Sequence, residues 1–287
     1  MYAITGITGK VGGALALSLL ADGQPVRAVL RDEAKAGAWR ARGCEIALAE
    51  MDDAESLTAA FANAEGVFIL PPSEFDPEPG FPEARRVIEA VRAALVKARP
   101  GKVVCLSTIG ADAAEENLLT QRSLLEQALS DLGLPVTFLR PAWFMENALW
   151  DVPAARDEGV LRSFLQPADR TFPMIATRDV GLEAAALLRE DWQGVRVVEL
   201  EAAARVAPND LAEAFSKALG RPVRVEIVPH ESWEQIFRSQ GTRNPLPRIR
   251  MLDGFNEGWI EFAEHGRLAR KGGTALETVI AELVRAG

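Results

Sequence analysis

The stretch Tyr2-Ala-Ile-Thr-Gly6-Ile-Thr-Gly9-Lys-Val-Gly12-Gly13, then a helical run, then Pro25-Val-Arg-Ala-Val-Leu-Arg31, decides the fold. A short apolar run enters a glycine-rich turn, small and aliphatic residues follow at helical spacing, and a second apolar run ends in arginine. This is the pattern of a β-α-β unit whose loop sits at a helix N-terminus. Unpaired N–H groups and the positive end of the helix dipole suit a pyrophosphate there. Gly6 and Gly9 are expected to supply unusual backbone angles and close approach of phosphates, and Gly12 and Gly13 to let the helix lie close on the sheet. The spacing Gly6-x-x-Gly9-x-x-Gly12 differs from G-x-G-x-x-G. The strand before it and the helix after it supply the context that a dinucleotide-binding reading requires.

Arg31 closes the second strand, about 20 residues into the unit, where an NAD-binding chain carries an acidic side chain for the ribose 2′-OH. Arginine there suits a 2′-phosphate through bidentate charge-assisted hydrogen bonds, so the expected cofactor is NADP(H). Lys35, one helical turn on, is a second candidate. The plain alternative is a solvated Arg31 with Asp32 as its neighbour.

Strand signals at 2–5, 26–30, 45–49, 66–70, 102–106 and 136–140 alternate with helix signals at about 11–22, 33–42, 54–63, 81–98 and 118–132. Such alternation predicts an α/β fold, a Rossmann-type doubly wound parallel sheet with helices on both faces. Asp53 is a candidate N-cap of the third helix and Asp179 of an alanine-rich helix to about 190. After Pro141 the pattern changes. A smaller C-terminal α/β substrate lobe is expected, so that 1–147 forms the dinucleotide-binding domain, with a return strand near 195–200, and 148–287 is mainly the second lobe, interleaved with the first.

Hydrophobic residues make up 48% of the 287, ample for a core, and the net charge of −9 argues against nucleic acid or an anionic membrane as partner. The cluster Arg267-Leu-Ala-Arg270-Lys271 reads as a solvated surface. No run approaches the roughly 18 apolar residues of a membrane span, and a strand from residue 2 leaves no room for a signal peptide, so the cytoplasm is the expected location. Cys44 and Cys105 lack metal or redox spacing, and Cys105 reads as a buried small hydrophobe. No H-E-x-x-H or Cys/His cluster points to a metal, and no G-x-S-x-G elbow points to a hydrolase. His230 and His265 are the only histidines.

The run Thr5-Gly6-x-Thr8-Gly9-x-x-Gly12, Val26-Arg-Ala-Val-Leu-Arg31, Leu106-Ser107-Thr-Ile-Gly110, Leu139-Arg-Pro141-Ala-Trp-Phe-Met-Glu-Asn147, Arg178-Asp179-Val and Leu219-Gly-Arg-Pro-Val223 resembles the NmrA-like family of atypical short-chain dehydrogenases/reductases nearly end to end. Bacterial NADPH:quinone reductases with this fold are similar in length and order. The resemblance implies that Gly6, Thr8, Gly9, Lys10, Val11 and Gly12 lie at the cofactor phosphates and that Arg31 and Lys35 hold the 2′-phosphate. It further implies that Pro71 and Ser107 line the cofactor path and that Pro141 and its neighbours reach the nicotinamide half.

The chain departs from the wider group at one point. Short-chain dehydrogenases usually carry Tyr-x-x-x-Lys on the helix after the fifth strand, the Tyr as general acid. Here that helix reads Leu118-Leu-Thr-Gln-Arg-Ser-Leu-Leu-Glu-Gln-Ala-Leu129, with Ser123 and Gln127 at the two positions, and the only tyrosine is Tyr2. Ketone reduction by the usual route lacks its acid. Hydride transfer to a quinone or similar small flat electrophile needs placement and water exclusion instead, so an NADPH-dependent reductase is the first reading. The second is an NADP(H)-sensing regulator that acts on a protein partner without turnover. Trp143, Phe144 and Asn147 are the candidate substrate residues. Trp150, Phe164, Phe172, His230 and Trp233 are further members of an apolar wall or, equally, of the core. No catalytic residue is assigned.

Overall fold

A computed structural model of the chain describes every residue from Met1 to Gly287. The main sheet is built from β1 (Tyr2–Ile4), β2 (Val26–Leu30), β3 (Glu45–Leu48), β4 (Gly66–Ile69), β5 (Val103–Leu106), β6 (Val136–Pro141), β10 (Val195–Ala202) and β12 (Arg270–Gly272). Their order is β12-β10-β6-β5-β4-β1-β2-β3. From β1 the chain runs outward through β2 and β3, then returns to β4 on the other side of β1. That reversal is the topological switch point of a doubly wound sheet. Registers run parallel, with Tyr2 beside Val26 and beside Gly66.

The intervening helices are α1 (Lys10–Ala21), α2 (Ala36–Arg40), α3 (Ala54–Phe61), α4 (Pro82–Ala98), α5 (Thr120–Leu129) and α7 (Thr177–Arg189). Alternate sheet residues Ala3, Val67, Val103 and Val136 join Leu57, Val91 and Leu125 of α3, α4 and α5 in one buried cluster, so these helices cover one face. The opposite face takes α7, because a Cβ on Gly66 would meet Leu188 of that helix at 3.0 Å. Strands buried on both faces read as continuous apolar runs, as Val103-Val-Cys-Leu106 does. Cys105 is fully buried, and desolvation pushes its thiol up to about 12. Asp53 caps α3 by accepting from the Glu55 N–H at 3.0 Å.

The chain divides into two compact units. The first comprises Met1–Ala111, Thr120–Arg140 and Arg178–Val198, and the second Asp112–Leu119, Pro141–Thr177 and Glu199–Gly287. The boundary therefore falls at Pro141, ahead of the expected position after residue 147, and residues 178–198 belong to the first unit. The physical reason is packing. A Cβ on Gly181 would stand 2.6 Å from Ala14, which binds α7 to α1.

In the second unit β7 (Trp143–Phe144) pairs in parallel with β9 (Met174–Ile175), and β8 (Val160–Ser163) with β11 (Arg224–Ile227). The two-residue strands carry no periodicity that a sequence could show. The unit's helices are α6 (Val152–Asp157), α8 (Pro208–Leu219), α9 (Trp233–Ser239), α10 (Leu246–Glu257) and α11 (Leu276–Ala286). Phe164 meets Trp233 and Phe237 at ring separations of 5.7 and 5.2 Å. Trp233, Phe237 and Phe172 are buried, which places this group in the core and not on a substrate wall.

Two expectations are corrected. The cap of α7 is Glu146, whose carboxylate accepts the Thr177 N–H at 3.0 Å, and Asp179 lies inside the first turn. Lys271 is not simply solvated. It pairs, as does Arg205, with the carboxylate of Glu201, itself only 3% exposed.

Asp151 ends a 3-10 stretch, Met145–Asp151, and burial alone pushes its carboxyl up to about 7. Between the unfolded carboxylate value near ~4 and about 7, the folded chain holds a proton that the unfolded chain has lost. This contribution to stability is complete below that window and is lost as pH rises through it. Asp151→Asn is therefore expected to raise the melting temperature at pH 8 and leave it nearly unchanged at pH 4. An equal change at both pH values in a thermal melt would contradict the assignment.

Candidate functional site

Five parallel strands, β2, β1, β4, β5 and β6, lie side by side, about 4.8 Å apart. Each sends a predicted site residue to the same edge. Gly6 follows β1, Arg31 follows β2, Pro71 follows β4, Ser107 follows β5, and Pro141 closes β6. Ligands of open α/β sheets bind outside these carboxyl ends.

The loop is fixed by backbone. Gly6 has φ +63°, in the left-handed region. Gly9 is the N-cap of α1 with extended angles, φ −88° and ψ 173°, so the expected unusual geometry belongs to Gly6 alone. A Cβ on Gly12 would stand 2.4 Å from the Gly6 carbonyl oxygen. Gly12 therefore lets the helix close on its own loop, where sequence reading had it closing on the sheet. A Cβ on Gly9 would meet the same oxygen at 3.3 Å. Thr5, missed in the sequence, fastens the loop's root. Its hydroxyl donates to the Phe68 carbonyl at 3.0 Å and accepts from the Leu70 N–H at 2.7 Å.

Thr8, Gly9 and Lys10 are exposed, and the side chain of Val11 is buried, leaving only its N–H to serve a ligand. The first turn of α1 carries no acidic residue and its N-cap makes no side-chain bond. This is a cradle of free N–H donors that any larger residue at 12 would close. Its shape and donors fit a pyrophosphate.

Arg31 and Lys35 are both exposed and make no ion pair. Asp32, the neighbour that would neutralise Arg31, is occupied otherwise: its carboxylate caps the following turn by accepting from the Ala34 N–H at 2.9 Å. Glu33 pairs with Arg40 at 2.9 Å. The cations at the end of β2 thus have no carboxylate partner within the chain.

Ser107 is 4% exposed, and its hydroxyl donates to Glu126 of α5. Arg140 of β6 grips the same carboxylate at 2.9 and 2.7 Å. With its proton committed, the Ser107 oxygen is held as an acceptor. The α5 helix also fixes the loop after β4. Gln121 bonds both backbone groups of Glu74, at 3.2 and 2.8 Å, and Arg122 donates to the Pro71 carbonyl at 3.1 Å. Burial lowers the Arg122 pKa to about 10. No sequence signal isolates these partners, which lie 14 to 51 residues apart.

Ser123 is half-buried and Gln127 exposed. Tyr2 cannot replace the absent acid. It is buried at the amino end of β1, away from the loop, and its phenol is pushed up to about 12 by desolvation and by its hydrogen bond to Glu65 at 2.7 Å.

Within the second unit, Trp143 and Phe144 are half-buried, and Trp143 meets Phe255 edge to face at 5.2 Å. Asn147 is exposed and its amide caps no backbone group. Trp150 is 85% exposed. His230 bonds Asp253 at 3.0 Å and lies 4.4 Å from the Trp233 ring at a tilt of 46°.

The reversed strand order, the glycine cradle and the cations after β2 define a Rossmann-type α/β chain of the dinucleotide-binding class. The pattern of the NmrA-like family matches residues 2–264, and the chain belongs to that family. Quinone oxidoreductase 2 of Escherichia coli (strain K12) is 30% identical over 249 residues, covering 86% of this chain and 84% of that protein. The (4-alkanoyl-5-oxo-2,5-dihydrofuran-3-yl)methyl phosphate reductase of Streptomyces griseus subsp. griseus is 31% identical over 228 residues, covering 79% and 76%. The solved NADPH complex of the Escherichia coli quinone oxidoreductase QOR2 matches with a TM-score of 0.81 at 24% identity over 99% of both chains, a likeness of fold.

Two outcomes test this geometry. Gly12→Ala is expected to lower the unfolding temperature and abolish dinucleotide binding, whereas Gly37→Ala on α2, with nothing within 4 Å of the new Cβ, should be neutral or stabilising by up to ~1 kcal/mol. Glu126→Leu leaves Arg140 buried without its counter-charge and should cost about 3–5 kcal/mol. Adding Arg140→Met should recover much of that in urea unfolding. Equal stability of single and double variants would show that the pair is not coupled.

Proposed function

We propose that the chain is an NADPH-dependent reductase that passes hydride to a quinone or a similar small flat electrophile. The carrying observation is the pairing of an open glycine cradle and unpaired Arg31 with a helix α5 that holds neither tyrosine nor lysine. The reductase names of its relatives support the same class of activity.

In this reading Gly6, Thr8, Gly9, Lys10, the Val11 N–H and Gly12 hold the pyrophosphate, and Arg31 and Lys35 hold the 2′-phosphate. Pro71 and Pro141 bound the nicotinamide path, and the Ser107 oxygen accepts a hydrogen bond from the cofactor. Trp143 and Phe144 bear on the substrate ring, and Asn147 donates to a substrate carbonyl. When bound, the nicotinamide supplies a hydride. The acceptor gains that hydride and one proton to become a quinol, and water delivers the proton, since no residue of α5 stands in the tyrosine's role. The side chains here place, orient and exclude water. No helix is long and apolar enough to cross a membrane.

Arg31→Glu is expected to weaken NADPH binding at least tenfold more than NADH binding, since a lost charge-assisted hydrogen bond costs about 1.5–3 kcal/mol. Equal losses in a fluorescence titration would remove Arg31 from the 2′-phosphate. With a quinone acceptor, Ser123→Ala should keep kcat within about tenfold, because general acid catalysis contributes ~10²–10⁴-fold. A fall of about a hundredfold or more, in a protein that still binds NADPH, would make Ser123 a participant in proton transfer. Tight NADPH binding with no oxidation at 340 nm across a quinone panel would favour the sensor reading and a protein partner.

A further inference from the structure

Helix α10 turns one stripe inward. Positions 248, 251, 252 and 255 share a face by the helical repeat. Met251, Leu252 and Phe255 are buried, as such a stripe demands. The remaining member is Arg248. Its guanidinium carbon lies 4.3 Å from the ring centroid of Phe237, a fully buried side chain. No carboxylate or carbonyl accepts from it, and burial alone holds its pKa below the ordinary arginine value. Nearby arginines are engaged: Arg250 with Glu115 at 2.5 Å and Arg238 with Glu234 at 2.9 Å. A half-buried cation without a counter-charge weakens a fold unless something else supplies that charge.

The other end of the stripe is aromatic. Phe255 meets Trp143 at an interplanar angle of 81°, and Trp143 is half-buried. Positions 248 and 255 are separated by a helical rise of about 10 Å, the scale of a fused ring system with one substituent. All of these residues belong to the second unit.

We infer that Arg248 is a specificity-determining residue that receives the acidic substituent, a sulfonate, carboxylate or phosphate, of a flat acceptor whose rings lie against Trp143. The planar guanidinium meets an oxyanion through two parallel hydrogen bonds, and the Phe237 face fixes its plane. The flat acceptor rests on the reductase reading above. The anion contact itself does not require turnover.

Equilibrium binding tests it on the full chain in the presence of NADP⁺, read by quenching of tryptophan fluorescence. The probes are anthraquinone-2-sulfonate and the uncharged 2-(hydroxymethyl)anthraquinone. The expected result is at least tenfold tighter binding of the sulfonate, a ratio that falls close to one in Arg248→Gln and Arg248→Leu and is partly kept in Arg248→Lys. Raising salt from 50 to 500 mM should erode the wild-type ratio, a readout that needs no variant. Equal affinities in the wild type, or a ratio that survives Arg248→Leu, would overturn the inference and leave Arg248 as a stacking residue only. NADPH oxidation measured alongside separates the two readings. A retained ratio without turnover defeats the reductase and keeps the anion site, and turnover with a ratio of one does the reverse.

Discussion

A Cβ at residue 12 would stand 2.4 Å from the Gly6 carbonyl oxygen, so α1 and the loop that feeds it can hold their present distance only with glycine there. The rest of the carboxyl edge follows from that contact. It fixes where the first N–H groups of α1 point, and so where an anion can sit. Gly6 turns the chain through the left-handed region to make the approach. Thr5 ties the start of the loop to both ends of a β4 peptide pair, through the Phe68 carbonyl and the Leu70 N–H. From the far side Gly181 lets α7 press on Ala14 and on the backbone of Val11. The helix is thus clamped against loop and neighbour by backbone contacts that admit no side chain.

The buried polar groups of α5 explain how that helix can lack Tyr-x-x-x-Lys and still be needed. Gln121 and Arg122 fasten residues 71–74, and Glu126 joins Ser107 to Arg140. A carboxylate hydrogen-bonded to a serine and an arginine, with all three less than a tenth exposed, satisfies groups that would otherwise each carry a desolvation penalty. The result is order at the ends of three strands, β4, β5 and β6. The helix acts as a fixture for the edge, and its lost acid costs little if the acceptor's proton comes from water.

What the sequence made legible is what local period and backbone chemistry control. The strands and helices to residue 140 stand within a few residues of their expected places, because runs such as Val103-Val-Cys-Leu106 are apolar without interruption and the helices start at signals such as Asp53. The glycine loop was legible as a motif. The assignment of strain to Gly9 was not, because spacing alone cannot say which glycine takes a positive φ. The second unit was harder. Its paired strands at 143–144 and 174–175 are too short to show a period, and β12 forms from the charged triplet Arg270-Lys-Gly272 because Lys271 meets the buried Glu201. Glu146 was quoted within a family motif, but only the fold shows it capping α7. The Ser107–Glu126–Arg140 group and the unpaired Arg248 depend on tertiary contacts with no local signature.

Charge placement separates scaffold from site in a chain whose net charge is −9. Arg27 in β2 is consumed by the fold. It pairs with Glu45 at 2.7 Å and donates to the Ala60 and Ala62 carbonyls at 2.8 Å, closing the end of α3. Arg31, at the end of the same strand, has an acidic neighbour in Asp32 that is turned away to cap its own loop. The chain has 41 acidic residues against 32 basic ones, and its less exposed arginines are mostly paired, as Arg27, Arg140 and Arg205 are. Arg31 at the carboxyl edge of the sheet and Arg248 on the inward stripe of α10 are left without a carboxylate partner in the chain. Surface pairing would add little stability, about 0–1 kcal/mol, whereas a phosphate or sulfonate held by a planar fork gains both energy and orientation. The cation that stabilises the free protein least is the one available to a ligand.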